Sequence, residues 1–447
     1  MAYRILSLDG GGFRALIQIM TLADLYSSAG AVTGHSVLSD FDLVVAGSGS
    51  SIILGCLLKN LPLSDIQGCF EDPVMRRAIF ARSPWWRRFG GHVWPRSSRD
   101  LSERCSLAAL RLLLNSEIGI AGLGDVRVEA VRSRTKVSTN FMIAAFDRDG
   151  QRQIFFRSDR KSRAASFDMP TMATLAEAID ASCLRTSAIR QTNIAAWSGR
   201  KRCWGHAIGG YGNPVLAGIS EALASGVSPD DIEVLSIGTG RVVLPIAEGS
   251  LELSTAKLVQ QRGALGWAND RKRLAKILLH DLPDASNLFA HIALGQALPT
   301  DAQHPISTGA LIRMNPLVQP VRTATGWMRP AGLTEAADAS DEFVRLRNLP
   351  PDAADDVAFV LTKKLCSLWH GDAVLNQPIR ANTDTFACEI GHHWYSEAKL
   401  GWREMYARRS TSSKALSTSP NASTPQPRAE KASWSKSPAR LGGAVLG

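Results

Sequence analysis

Short apolar runs alternate along this chain with longer segments of helical periodicity, and glycines mark several of the changeovers. Arg4 to Asp9, RILSLD, reads as a strand that stops at three consecutive glycines. From Phe13 to about Ser28 the apolar positions Leu16, Ile17, Ile19, Met20, Leu22 and Leu25 recur at helical spacing. FDLVVAG, beginning at Phe41, is continuous enough for a strand buried on both faces, and SSIILGCLLKN after it reads as a helix. Strand, turn and helix repeated in this order predict an α/β fold built on a mainly parallel sheet. Further strands are predicted at Asn140–Asp147, Gln153–Ser158 and Ile232–Gly240. A helix is predicted from about Asn213 to Ala224, with Pro214 suited to its first turn. Leu251 to Tyr406 reads as mostly helical and packed on the first part, and no internal repeat is visible. The expected division is 1–245, 246–406 and a tail at 407–447.

Composition sharpens this in three places. The chain has 447 residues, enough for one large core or two ordinary ones. Its net charge of +10 is concentrated: seven Lys or Arg and one Glu follow Tyr406, in a Ser-, Thr- and Pro-rich stretch with few bulky apolar residues. Such a stretch cannot bury enough surface to offset its ordering entropy, so the tail is expected to be disordered. A basic tail can touch anionic lipid or nucleic acid or serve as a solubilising end; with only about +4 left on the first 406 residues, nucleic acid is not an expected partner. The seven cysteines are scattered and the nine histidines form no ligand pattern, so reduced thiols and no metal or cofactor are expected. MAYRILSLDGGG runs straight into a strand with no basic head or cleavage site, which leads to a cytoplasmic expectation, compatible with peripheral membrane contact or signal-less secretion. Between Arg82 and Arg96, Trp85, Trp86 and Trp94 are interleaved with arginines, a mixture that suits either a lipid–water interface or a surface loop of stacked Arg and Trp.

Two glycine turns carry the candidate chemistry. DGGGFRA, Asp9 to Ala15, satisfies a dinucleotide fingerprint, but no acid sits about 20 residues on at the end of a second strand, where a ribose hydroxyl would need it. Neither turn carries the Gly-Lys-Ser/Thr of a phosphate-binding loop. The other use of the first turn is to converge backbone N–H groups on a developing oxyanion. The second turn, AGSGSS, holds three serines. A nucleophile elbow requires small residues two before and two after its serine. Ser48 has Ala46 and Ser50 there, whereas Ser50 and Ser51 are each followed two residues on by isoleucine. Ser48 alone fits.

On these residues the chain resembles the bacterial patatin-like phospholipase family. LSLDGGGFRA matches that family's oxyanion turn, with Ala15 replacing its last glycine, and FDLVVAGSGSSIILG aligns without gaps on its elbow. LAEAIDAS, NPVLAGISEALASG and VLSIGTG extend the likeness in order to Gly240. The resemblance implies a three-layer patatin-like sandwich, hydrolysis of lipid acyl esters and Ser48 as nucleophile. It also implies Gly10, Gly11, Gly12 and Arg14 at the oxyanion turn, with Arg14 bracing the loop or meeting a head group. The family's base is an Asp, and RCWGHAIGGYGNPV puts Gly205 at that position. Three possibilities follow: His206 as a substitute base; an acid from elsewhere, such as Asp147, Asp149 or Asp180; or a silent module that binds lipid or protein.

Overall fold

The structure is a computed structural model that describes residues 2–27, 32–80, 107–147, 150–159, 173–183, 203–205, 210–243, 282–298, 309–323, 326–328, 330–333, 342–349, 355–379 and 389–417. Strands β1 (Tyr3–Leu8), β2 (Leu43–Gly47), β3 (Asn140–Asp147), β4 (Arg152–Arg157), β5 (Cys203–Gly205) and β6 (Ile232–Ile237) follow the apolar runs of the sequence. A two-residue strand, β7 (Arg241–Val242), lies off the main sheet, and β8 (Leu311–Met314) completes it. The sheet order is β4-β3-β2-β1-β6-β8, with β5 added to β3. Pairings among β3, β2, β1, β6 and β8 are parallel, while β4 and β5 run antiparallel to β3.

Side chains alternate across this sheet, and both faces are covered. Leu6, Leu8, Val44, Ala46, Leu235 and Ile237 pack on one side with buried residues of helices Leu16–Leu25, Gly49–Leu58, Leu175–Cys183 and Asp356–His370. Ile5, Leu43, Val45, Ile232 and Val234 pack on the other with helix Val215–Ala224 and with Ala290 and Leu294. A strand buried on both faces gains about 1.5–3 kcal/mol for each large apolar side chain, which explains why β2 carries no polar residue. The result is a three-layer α/β sandwich with a mainly parallel central sheet.

Three expectations change. The first predicted helix opens as a 3-10 turn at Gly12–Ala15 and continues as an α-helix over Leu16–Leu25, because Gly12 adopts φ +57° and delays the regular helix. The region after 245 carries helices Leu282–Ala293, Glu342–Asn348, Asp356–His370 and Tyr395–Ser417, but it also contributes β8 to the central sheet and the short strands Pro316–Val318, Val321–Thr323, Gly326–Met328 and Leu375–Asn376, which were not expected. Arg313 and Asn315 interrupt the apolar pattern there and hide the strand. Finally, helix Tyr395–Ser417 runs into the expected tail, whereas 418–447 lie outside the described residues. The guanidinium of Arg4, buried and paired with Glu233, donates to the carbonyls of Met405 and Tyr406 and lies over the Tyr406 ring, so this helix is held at the point where the tail was expected to begin. No described helix is long and apolar enough to cross a membrane.

The last two long helices are tied to the first by a polar cluster. Asp24 accepts from the Tyr395 hydroxyl at 2.5 Å and from the Lys399 ammonium at 2.6 Å, and His370 stacks on Tyr395 with ring centres 4.3 Å apart. Burial holds the His370 imidazole neutral, pushing its pKa down from 6.5 to about 4. The unfolded chain therefore takes up a proton below pH 6.5 that the folded chain refuses until about pH 4. Stability present above pH 6.5 should fall as the pH drops through that window, by about 1.4 kcal/mol for each unit the two pKa values differ. His370→Gln should lose this part of the pH dependence in urea titrations, and parallel profiles for the two proteins would contradict it.

Candidate active site

Adjacent parallel strands end together at this site. Leu8 of β1 pairs with Ala46 of β2, so the turns that follow them emerge side by side at the carboxyl edge of the sheet, where open α/β folds place their ligands. The β2 turn is sharp. Ser48 is the N-cap of helix Gly49–Leu58 and sits at φ +52°, ψ −131°, a conformation that costs a non-glycine residue about 1–3 kcal/mol. A Cβ on Gly49 would collide with the Gly12 carbonyl, and a Cβ on Gly11 would collide with the Thr239 side chain. Glycine is required at Gly49 because one turn lies directly against the other, and at Gly11 because the first turn packs on Thr239, just after β6.

The serines of AGSGSS divide their tasks. The backbone N–H of Ser48 donates to Ser182 Oγ at 2.7 Å. Its carbonyl accepts from both the hydroxyl and the N–H of Ser51. Ser50 is fully buried, with its hydroxyl within hydrogen-bonding distance of the Asp9 carbonyl and of Gln18 Oε1. Ser48 is only partly buried, and among the described residues its Oγ has no hydrogen-bond partner. Of the three, this serine alone combines a strained backbone with a hydroxyl uncommitted among the described residues.

The first turn is equally differentiated. Gly10 N–H donates to the Gly212 carbonyl at 2.8 Å and is thereby spent, while the N–H groups of Gly11 and Gly12 have no acceptor among the described residues. Arg14 does not turn its hydrogen bonds toward the elbow. One of its nitrogens donates to the carbonyls of Leu346 at 2.9 Å and Leu349 at 3.4 Å, at the C-terminal end of helix Glu342–Asn348, where a cation suits the helix dipole. Burial lowers its pKa to about 10, so it stays charged at neutral pH. Phe13, between these residues, is fully buried against Phe70 and Phe80, with the Arg76 guanidinium 5.8 Å from its ring centre.

Beneath the glycines lies a buried ion pair. Arg313 of β8 grips both carboxylate oxygens of Asp9, at 3.0 and 2.5 Å, and donates to Ser236 Oγ at 2.8 Å. Burial pushes the Asp9 carboxyl pKa up and the Arg313 charge pulls it back. Gln18 completes the arrangement, donating to the carbonyls of Asp9 at 2.9 Å and Ile237 at 2.8 Å. The sequence reading did not single out Arg313, Ser182, Gln18 or Thr239. A charge inside the apolar run ALIRM was the one available sign that Arg313 needs a buried partner.

The position of Gly205 follows from strand register. β2 ends its pairing with β3 at Gly47 and Ala144, and β5 takes over the same edge at the next residue, where Gly205 pairs with Ala145. Gly205 is therefore beside the elbow, and it carries no side chain to reach Ser48. After the undescribed residues 206–209, the chain returns at the first turn, where Gly212 receives the Gly10 N–H. His206 lies outside the described residues, as do Asp149, Trp85, Trp86 and Trp94. Asp147 closes the β3–β4 turn by accepting from the Gly150 N–H at 3.0 Å. Asp180 is buried on helix Leu175–Cys183, and neither of these two carboxylates hydrogen-bonds Ser48 Oγ.

Comparison with known proteins gives a limited likeness. No protein-family profile matches the chain. Over 137 residues it is 27% identical to a cGAMP-activated phospholipase of Pseudomonas aeruginosa strain BWHPSA011 / Pa011, an alignment that takes in 31% of this chain and 37% of that protein. Among solved structures, VipD from Legionella pneumophila aligns over 82% of this chain and 67% of its own, with a TM-score of 0.32 and 10% identity. The match to the Pseudomonas protein is a likeness of one segment, spanning little more than a third of that relative.

The buried pair makes a stability prediction. Arg313→Met strands the Asp9 carboxylate in the interior and should cost about 3–5 kcal/mol in urea unfolding. The double variant Asp9→Leu/Arg313→Met should recover much of that loss, and equal instability of the two would show that the charges are not coupled.

Proposed function

We propose that this chain is a patatin-like serine acyl hydrolase acting on acyl esters of phospholipids or related lipids, slowed by the absence of the usual base. The observation that carries the reading is Ser48 itself: a non-glycine residue at φ +52° between a parallel strand and a helix, touching a second glycine turn, with its hydroxyl uncommitted among the described residues. The sequence likeness of one segment to a phospholipase supports lipid esters as the substrate class.

In this reading Ser48 Oγ attacks the ester carbonyl carbon, and the carbonyl oxygen becomes an oxyanion held by the N–H groups of Gly11 and Gly12. Collapse of the adduct breaks the ester C–O bond and releases the lipid alcohol with a proton, leaving an acyl-Ser48 ester that water then hydrolyses. Gly10 is omitted as a donor because its N–H is already bonded to Gly212. Arg14 braces the turn through helix Glu342–Asn348. His206, next in sequence to Gly205, is the group we assign to take the Ser48 proton and return it to the leaving alcohol. A neutral imidazole has a suitable pKa for both steps. Trp85, Trp86 and Trp94 with their neighbouring arginines would meet the lipid surface, making the protein a cytoplasmic enzyme in peripheral contact with membrane.

The second reading is a silent module of the same fold that binds lipid or protein. Gly205 beside the elbow, a residue with no side chain to act as base, favours it. Activity need not vanish in the first reading, since serine hydrolases stripped of a catalytic partner retain about 10³–10⁴-fold acceleration over water from the oxyanion hole and binding.

A fluorophosphonate probe separates the two. The hydrolase reading expects labelling of Ser48 that disappears in Ser48→Ala and falls in His206→Ala, together with a gain of about 10²-fold or more in ester turnover for Gly205→Asp. An unlabelled wild-type chain with no ester turnover would favour the silent module. Labelling that is indifferent to His206→Ala would remove that residue as the base.

A further inference from the structure

We propose that Ser182 is the positioning residue of the elbow: its hydroxyl replaces the strand-to-strand bond that β2 gives up on leaving the sheet, and so fixes Ser48 in its positive-φ conformation. The inference rests on Ser48 being the nucleophile.

Gly47 is the last residue of β2 in register with β3, where its partner is Ala144. A strand that continued would pass its next N–H to a β3 carbonyl. Here the chain turns instead, and the Ser48 N–H is directed to Ser182 Oγ at 2.7 Å, while the Ser182 hydroxyl donates to the Ala144 carbonyl at 2.6 Å. One hydroxyl thus stands between the two backbone groups, accepting from one and donating to the other. Its insertion widens the gap between the strands by about the width of an oxygen atom, which lets the backbone leave the sheet without losing either partner.

A water molecule could fill the same role but would not be tethered. Ser182 is fully buried on helix Leu175–Cys183, whose Leu175, Ala176, Ala178, Ile179 and Ala181 are fully buried as well, so its hydroxyl is fixed by packing. Ser51 holds the Ser48 carbonyl from the other side. With N–H and C=O both committed to serine hydroxyls, the strained residue is determined at each end, and its own Oγ is left to react. Ser182 touches no substrate in this account and acts through the backbone of Ser48.

The role can be read in two ways on the full-length protein. Hydrogen–deuterium exchange of the Ser48 amide should accelerate about tenfold or more in Ser182→Ala, since removing the acceptor exposes that N–H to local opening, whereas the Gly34 amide, bonded to the Leu61 carbonyl, should not change. Fluorophosphonate labelling of Ser48 should slow about 10- to 100-fold in its maximal rate with little change in the probe concentration for half-saturation, because the displaced group is the nucleophile and not the binding surface. Ser182→Thr keeps the hydroxyl and should restore most of both. If Ser182→Ala does not fold, Ser182→Cys, a weaker donor and acceptor, should show the same two changes. An unchanged Ser48 amide in a folded variant overturns the proposal. An unlabelled wild-type protein overturns the hydrolase reading on which it rests, while the exchange measurement still decides whether the hydroxyl bridge exists.

Discussion

Everything at this site depends on two backbone turns lying in contact. β1 and β2 are neighbours in a parallel sheet and end in register, so the residues that follow them are forced into the same small volume. The Gly12 carbonyl rests against the Cα of Gly49 with no room for a side chain. This contact brings a strained serine beside the N–H groups of Gly11 and Gly12, which have no acceptor among the described residues. It also explains the two kinds of small residue in the sequence: glycine where the turns meet, serine where the strained chain needs a hydroxyl to satisfy it.

The contact is held from the far end of the chain. Arg313, more than three hundred residues after Asp9, supplies the charge that lets a buried carboxylate stand at the base of the first turn. Helix Glu342–Asn348 receives Arg14 through its last carbonyls, and the helices bearing His370, Tyr395 and Lys399 close on Asp24 behind it. The glycine turn is therefore assembled by both ends of the sequence, although the motifs that announce it all lie before Gly240. Because burial of an unpaired charge is costly, the ion pair also ties the formation of this turn to the addition of β8 to the sheet.

Local signals made much of this legible. β3 spans the residues its apolar run suggested, and the small-neighbour rule selects Ser48 from three candidates, the same serine that occupies the strained position. That rule is steric and local: Ala46 and Ser50 are both fully buried. What the sequence concealed depends on distant partners. β8 was hidden because Arg313 and Asn315 break its pattern, and both are polar because they face buried partners, Asp9 for one and Gln377 for the other. Ser182 lay inside a segment recognised by resemblance, yet its bridge depends on where β2 and β3 part company, which spacing along the chain does not reveal. The register also places Gly205 beside the turn that holds Ser48, where a glycine brings no side chain.

The account holds that Ser48 forms a covalent acyl intermediate, at a rate limited by proton removal. The most direct measurement is mass spectrometry of the protein after incubation with an activated long-chain acyl ester and an acid quench. The account predicts one added acyl group, mapped to the peptide that contains Ser48 and absent from Ser48→Ala. An acyl group on another residue, or none at any time while ester is being consumed, would contradict it.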